Sequence, residues 1–552
     1  MRRTLLALGL VLLWCVPASA QERAMRPEDA RTVLLASPLG TPESPAPAQE
    51  QAKRPLRLED FYLVKSVGSP RISPDGRWVT YTISLPIEET NEDATEAWFV
   101  RSDGSAAPVH VQHEGREVSD PRWADDGRLR YTYEDANWVI DPTRPAGPAM
   151  RDETPDRDGT VSPDGQWLVR TQEMPAPVQP ASAMTDFERR HEERFKGKAF
   201  DWYPFLQDRQ SFPVPDRRDT PPSEIFLEPA SGNGEARQLT RLGLQPGNLR
   251  WRPDGGALLF TADESVLDEL AYGWSDLFLV TVDGELSRLT DDKYVYSNAD
   301  FSPDGRWISY VRSFGTDMII ERRLDHGGPQ DLYIRPAAGG EPVNLTADWN
   351  LDAGSPQWSP DSRYLYFTTG IGGATHLFRV PAAGGPVEQI TEGERRIGGL
   401  DIDRSFRRMA YTVGEFERPS DIWVADIDGR NERRLTDVHR EFLAEVEVAA
   451  RPAERILYNS YDGTAVEGFL LFPHGYDPQG GPYPLIVANH GGPHSASGYG
   501  FNFKNQLFAA HGYFVFLPNF RSSTGYGDAF MWGTWGGWGN KDGEDVLAGV
   551  DH

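Results

Sequence analysis

Short runs of alternating apolar and polar residues, broken by turn formers, recur along the chain from residue 56 onward, and that alternation marks half-buried strands. The runs fall into a repeat. One half is a turn between two strands: Ile72-Ser73-Pro74-Asp75-Gly76-Arg77-Trp78 leads into Val79-Thr80-Tyr81-Thr82. The turn returns at Trp123-Ala124-Asp125-Asp126-Gly127, Val161-Ser162-Pro163-Asp164-Gly165, Trp251-Arg252-Pro253-Asp254-Gly255, Phe301-Ser302-Pro303-Asp304-Gly305 and Trp358-Ser359-Pro360-Asp361-Ser362. A degenerate copy stands at Ile402-Asp403-Arg404-Ser405. Proline presets φ at the first central position, aspartate bonds its own backbone, and glycine accepts the positive φ that closes the hairpin. The other half is a strand, a polar turn and a strand ending near Leu-Thr, as from Asp276-Leu277-Phe278 to Leu289-Thr290 or from Asp331-Leu332-Tyr333 to Leu345-Thr346.

Two hairpins per unit predict a four-stranded antiparallel sheet. Such a sheet cannot bury both faces alone, so units must stack, and closing the stack removes the exposed edges. Seven units predict an all-β seven-bladed β-propeller over residues 56–445; a two-sheet sandwich would not need so fixed a repeat. The long interval from Asp164 to Asp254 predicts an insertion over 172–222. Within it, Phe187-Glu188-Arg189-Arg190-His191-Glu192-Glu193-Arg194-Phe195 is charged and helix-forming. One reading is a solvated helix on a loop. The other has Glu192 and Glu193 pointing into the ring to hold a cation, such as a peptide's free amino terminus. Asn344-Leu345-Thr346 matches a glycosylation acceptor, but the repeat already places Leu-Thr there.

Beyond about residue 449 the repeat stops. Arg455-Ile456-Leu457-Tyr458 and the run from Ala465 to Phe472 read as two strands. Pro484-Leu485-Ile486-Val487-Ala488-Asn489 is nearly all apolar, as expected of a strand covered on both faces. It empties into His490-Gly491-Gly492-Pro493-His494; an amphipathic stretch over 503–511 and a further strand over 513–517 follow. Strand, loop, helix, strand is the order of an α/β sheet. A Gly-Gly turn at a strand end leaves backbone N–H groups uncovered, which suits a developing oxyanion. A metal on His490 and His494 is not expected, since no third ligand stands near in sequence.

Three blocks together resemble the prolyl oligopeptidase family of serine peptidases, on its acylaminoacyl-peptidase and dipeptidyl-aminopeptidase side. They are Ala488-Asn489-His490-Gly491-Gly492-Pro493-His494-Ser495, Asn519-Phe520-Arg521-Ser522-Ser523-Thr524-Gly525-Tyr526-Gly527, and Trp538-Gly539-Asn540-Lys541-Asp542 with the run from Asp545 to Asp551. Ser522 departs from the pattern, which usually has Gly there. The resemblance implies a propeller capping an α/β-hydrolase, of which residues 446–552 would be the N-terminal part. It also implies a Ser-His-Asp triad acting by acyl transfer on short peptides, with no cofactor. His490, Gly491 and Gly492 would form the oxyanion loop, and Glu192 and Glu193 would match the paired glutamates that hold a peptide amino terminus.

Composition adds context. The chain has 552 residues, a formal net charge of −27 and 39% hydrophobic residues, among them 26 Phe, 20 Tyr and 16 Trp, so it can build large cores and repels nucleic acid. Arg2-Arg3, the apolar run from Leu5 to Val16 and Pro17-Ala18-Ser19-Ala20 read as a secretory signal over residues 1–20, and residues 21–55 as a Pro/Ala/Glu-rich leader. The expectation is a secreted or periplasmic protein without a membrane anchor. Its single cysteine, Cys15, lies in the signal, so neither disulfides nor thiolate chemistry are expected. The sequence contains no Gly-x-Ser-x-Gly: Gly273-Trp274-Ser275-Asp276-Leu277 lacks the second glycine. The triad is therefore expected beyond His552, in a longer peptidase, with the open parallel edge leaving Val487 and Phe516 underfilled. The competing expectation is a non-catalytic propeller that binds peptides or protein partners.

Overall fold

The computed structural model describes residues 53–152, 160–175, 185–195, 221–267, 273–324, 328, 330–448 and 451–552. The expected signal and nearly all of the expected leader lie outside them. From Ser66 to Arg434 the described strands form successive four-stranded antiparallel units in chain order. The first unit carries one extra short strand, and the sixth and seventh are joined by a single parallel pair, Thr375 with Arg396.

Each unit follows from its turn. In Ser-Pro-Asp-Gly the serine hydroxyl donates to the aspartate and accepts the amide of the residue that opens the second strand. At Ser73 these bonds are 2.7 Å to Asp75 and 3.0 Å from Trp78; at Ser302 they are 2.6 Å to Asp304 and 3.0 Å from Trp307. Gly76 and Gly305 supply φ of 72° and 68°. In the degenerate copy Asp403 replaces the serine, accepting from Arg407 and Arg408 at 2.7 Å each, while Phe406 takes the glycine's conformation at φ 55°.

The Leu-Thr endings are latches. The threonine hydroxyl receives the amide at the start of the third strand and donates to the carboxylate just before it. Thr436 accepts from Ile422 at 2.9 Å and donates to Asp421 at 2.7 Å; Thr346 accepts from Leu332 at 3.0 Å and donates to Asp331 at 2.7 Å. With both edges of each hairpin fixed, alternate side chains enter the clusters on either side. Leu258 and Phe260 pack on Ile225 and Leu227 of the third unit, whereas Leu259 packs on Tyr296 and Tyr310 of the fifth. Val67, Val79 and Tyr81 of the first unit pack on Ala410, Ile422 and Val424 of the seventh.

Strand pairing beyond the third turn continues to Glu173 with Ser223, so the insertion starts later than position 172. Its helix Asp186–Phe195 begins with Thr185 and Glu188 capping each other, at 3.2 and 2.8 Å.

The C-terminal part is a four-stranded mixed sheet in the order Glu454–Asn459, Ala465–Leu471, Phe514–Asn519, Leu485–Val487, with the last two parallel. Two expectations are corrected here. Leu485–Val487 lies at the open parallel edge, as expected, but Leu485 is 41% exposed rather than covered on both faces. Phe516 is not underfilled: helix Lys541–Asp551 lies over it, and Ala548 and Tyr458 complete a cluster in which it is buried. Val487 packs only against that cluster's margin. The helix is pinned by Asp545, wholly buried, which receives the Arg521 amide at 2.7 Å and its guanidinium at 2.7 to 3.1 Å. Among the described residues no helix is long and apolar enough to cross a membrane.

Candidate active site

The connections between second and third strands carry the contacts to the C-terminal part. Trp532 Nε1 donates to Gly328 O at 3.1 Å, Gly372 N to Gly525 O at 2.8 Å, Tyr499 N to Gly373 O at 3.0 Å, and Gln506 Nε2 to Phe416 O at 2.8 Å. These approaches require glycine: a Cβ on Gly525 (φ 88°) would lie 3.0 Å from the Gly372 amide.

At this junction the strand Leu485–Val487 delivers His490-Gly491-Gly492. Neither glycine amide donates to any described residue, and both glycines are exposed. Gly492 has φ 142°, and a Cβ there would meet His494 N at 2.8 Å, so no other residue fits. His490 lies flat on Phe520, centroids 4.5 Å apart and planes 9° apart, and burial pushes its pKa down. Its Nε2 is 2.8 Å from Ser523 Oγ and its Nδ1 is 3.0 Å from Gly491 O. Ser523 Oγ donates its one proton to Phe520 O at 2.6 Å, so toward His490 it accepts, from Nε2–H.

A Ser–His hydrogen bond resembles a nucleophile and its base, but this one is architectural. Ser523 is wholly buried, so no carbonyl carbon can approach its Oγ. Asn519, also wholly buried, holds the following turn from both sides: Oδ1 accepts from Ser497 N at 2.7 Å and Nδ2 donates to Ser497 O at 2.9 Å. The block from Asn519 to Gly527 thus frames the His490 loop. Sequence reasoning quoted these residues as a motif without finding this job, since the partners lie 22 and 33 positions away.

Next to the loop stands an acidic group that sequence reasoning missed. Asp528 donates its amide to Asn350 Oδ1 at 3.0 Å; burial, then repulsion from Asp352 and Asp331, pushes its carboxyl up to about 6. Asp352 is likewise raised by burial, although it accepts Gln330 N at 3.0 Å. His494 packs edge-on against Trp532, centroids 4.4 Å apart. Among the described residues no three His, Cys, Asp or Glu are grouped to hold a metal.

Of the expected amino-terminus clamp, Glu193 is exposed and lies 3.9 Å from Arg189 on its own helix. The Glu192 side chain lies outside what is described. Neither is brought to the His490 loop by any described contact.

A sequence model of the prolyl oligopeptidase family matches residues 499–552. Dipeptidyl-peptidase 5 of Porphyromonas gingivalis is 23% identical over 512 residues, 87% of this chain and 70% of that protein. The uncharacterized peptidase YuxL of Bacillus subtilis is 25% identical over 427 residues, 60% of this chain. The chain is similar to members of the prolyl oligopeptidase family along these matches. It spans 63% of the length of the Bacillus relative. Acylaminoacyl peptidase of Pyrococcus horikoshii superposes with a TM-score of 0.63 at 19% identity, over 90% of this chain and 72% of that one. A puromycin-hydrolyzing peptidase of Mycobacterium tuberculosis gives 0.57 at 16% identity. These likenesses carry the fold of the family. The family match begins just after the His490 loop and takes in Asn519, Ser523 and Asp545, the residues that frame it.

Proposed function

We propose that this polypeptide is the propeller and first hydrolase segment of an exported serine peptidase that cleaves short peptides by acyl transfer. In this reading the seven repeat units close as a seven-bladed propeller over the mouth of the catalytic part. The packing of the first unit on the seventh supports the closure. The observation that carries the chemistry is the pair of exposed amides at Gly491 and Gly492, which have no acceptor among the described residues. They are donors awaiting an acceptor, and an oxyanion formed at a scissile carbonyl is such an acceptor. His490, held neutral and stacked, would keep the turn in place without taking the proton itself.

The insertion supports a role for Glu192 and Glu193 by topology. It is rooted at Glu173 and Ser223, between the second and third strands of its unit. In the fifth, sixth and seventh units that same connection meets the catalytic part. Paired carboxylates there would hold a peptide's ammonium group, as a dipeptidyl-peptidase requires. Replacing both by glutamine should weaken binding of peptides with a free amino terminus and leave acetylated ones unchanged; equal losses would make the helix structural.

The reading places the nucleophile outside residues 1–552, and the seat of the protein outside the cytoplasm. Sequencing the reading frame onward is the decisive test: an in-frame Gly-x-Ser-x-Gly is expected within about forty codons. A stop codon directly after His552 would instead favour a propeller that binds peptides or partners without cutting them.

A further inference from the structure

Arg396 opens the first strand of the seventh unit, Arg396–Ile402, at the end that meets the C-terminal part. Its Nε donates to Gly373 O at 3.0 Å, and its Nη2 to Ala496 O at 2.7 Å, just beyond the His490-Gly491-Gly492 turn. A guanidinium has five N–H donors, so most of this one's hydrogen-bonding capacity has no acceptor among the described residues. Nor does any described carboxylate pair with it. The contrast with its neighbour is direct: Arg395 is gripped by both oxygens of Glu432, at 2.9 and 2.8 Å.

Arg396 is half-buried, and burial draws its pKa below the usual value for a guanidinium. Its charge reaches His490 and helps to keep that ring neutral. A partly desolvated cation without a counter-ion is unfavourable until an anion completes it. Around it stand donors, the remaining guanidinium N–H groups and, a few residues before Ala496, the Gly491 and Gly492 amides; the Glu467 carboxylate beside Gly372 is already held by Arg455. A neutral carbonyl would satisfy a hydrogen bond and leave the charge uncompensated. A polyanion such as nucleic acid is disfavoured by the net charge of −27.

We propose that Arg396 is a specificity-determining residue that takes a carboxylate of the bound peptide beside the oxyanion loop. The inference rests on the peptide reading above and deepens it. A carboxylate seated this close to the loop belongs either to the carboxyl terminus of a short peptide or to an acidic side chain near the bond presented to the Gly491 and Gly492 amides. Either source favours short, carboxylate-bearing substrates over long neutral ones. Tethering the guanidinium to two backbone carbonyls from different parts of the chain fixes its plane, and this suits a forked carboxylate contact.

Calorimetric titration of the full chain tests this, with Ala-Ala-Ala as free acid and as amide, and with Ala-Asp-Ala-amide against Ala-Asn-Ala-amide. In the wild type, the carboxylate-bearing member of at least one pair should bind roughly tenfold more tightly. The pair that discriminates identifies the source as terminus or side chain. Arg396→Gln should abolish the difference while the neutral peptides bind as before, and Arg396→Lys should keep part of it. Equal affinities within both pairs for the wild type would overturn the proposal whatever the variants do, and so would full discrimination by Arg396→Gln. If no peptide binds, acid or amide, the peptide reading fails and takes this proposal with it. Equal binding sinks the role of Arg396 alone.

Discussion

Ser522 shows what one side chain can decide. Its φ is 96°, a conformation L residues rarely hold, and its hydroxyl is bonded to that of Thr534. The family pattern has glycine here, and the backbone angle says why. Alanine would keep the strain and lose the hydroxyl contact, whereas glycine would lose the contact and relieve the strain. Ser522→Gly should therefore be more stable than Ser522→Ala by about 1 kcal/mol, read as a difference in urea midpoint. Asp528 is the second residue with a measurable signature. Its folded pKa of about 6 lies above the ordinary carboxyl value, so the fold prefers it protonated. That preference stabilises at low pH and is lost as pH rises through about 6. Asp528→Asn should match the wild type near pH 4 and exceed it near pH 7, by about 1 kcal/mol once solvent screening is allowed for. Thermal melts at the two pH values read this; an identical pH profile for both proteins would contradict it.

Within a single element the threonine latches matter most. Thr436 is 6% exposed and Asp421 1%, so removing the hydroxyl leaves the Ile422 amide without its acceptor and Asp421 Oδ1 with the Val438 amide alone, in a dry place. Thr436→Val should lower stability by about 1 to 3 kcal/mol, and an exposed control such as Thr143→Val by much less, in parallel denaturant titrations. The turn halves of each unit were readable because proline, aspartate and glycine each act within a few residues. The aspartate before Leu277, Leu332 or Ile422 and the threonine after the fourth strand were visible too, but as separate signs. Their bond spans 14 or 15 positions, and alternation carries no information about which distant polar pair will meet. The exposure of Leu485 was misjudged for a related reason: an apolar run says that a strand can be covered, not that anything lies over its faces.

For the molecule as a whole, the succession of sheets, the change of architecture after the repeat and the His490-Gly491-Gly492 turn at a strand end could all be read from local text. Phe516 could not, because the helix that buries it is supplied from Lys541–Asp551. Nor could Arg396 or the Ser523–His490 bond, which exist only once a repeat unit and the C-terminal sheet are side by side. The two ends of the repeat region are likewise tied together far from each other in sequence. Arg54–Pro55 pairs in parallel with Val446–Glu447, and Leu56, Phe442, Val446 and Val448 form one cluster flanked by Phe503 and Leu507 of the C-terminal part. Leu56→Ala, at a site 1% exposed, should destabilise both ends together by about 2 to 5 kcal/mol, with amide exchange accelerating in residues 440–448 as well as 54–63.

Every repeat unit is made of strands consecutive in the chain, so among the described residues no ladder of backbone bonds runs between the first unit and the seventh. What joins them is side chains: the Ile72 amide on Asp401 at 2.7 Å, Arg408 on Ser102 at 2.8 Å, and the apolar contacts around Val67 and Tyr81. A joint of that kind resembles a zip fastener held by buttons. It can part without unravelling either sheet, a property shared with the other joints between units, of which, among the described residues, only the fourth–fifth and the sixth–seventh carry a single parallel bridge.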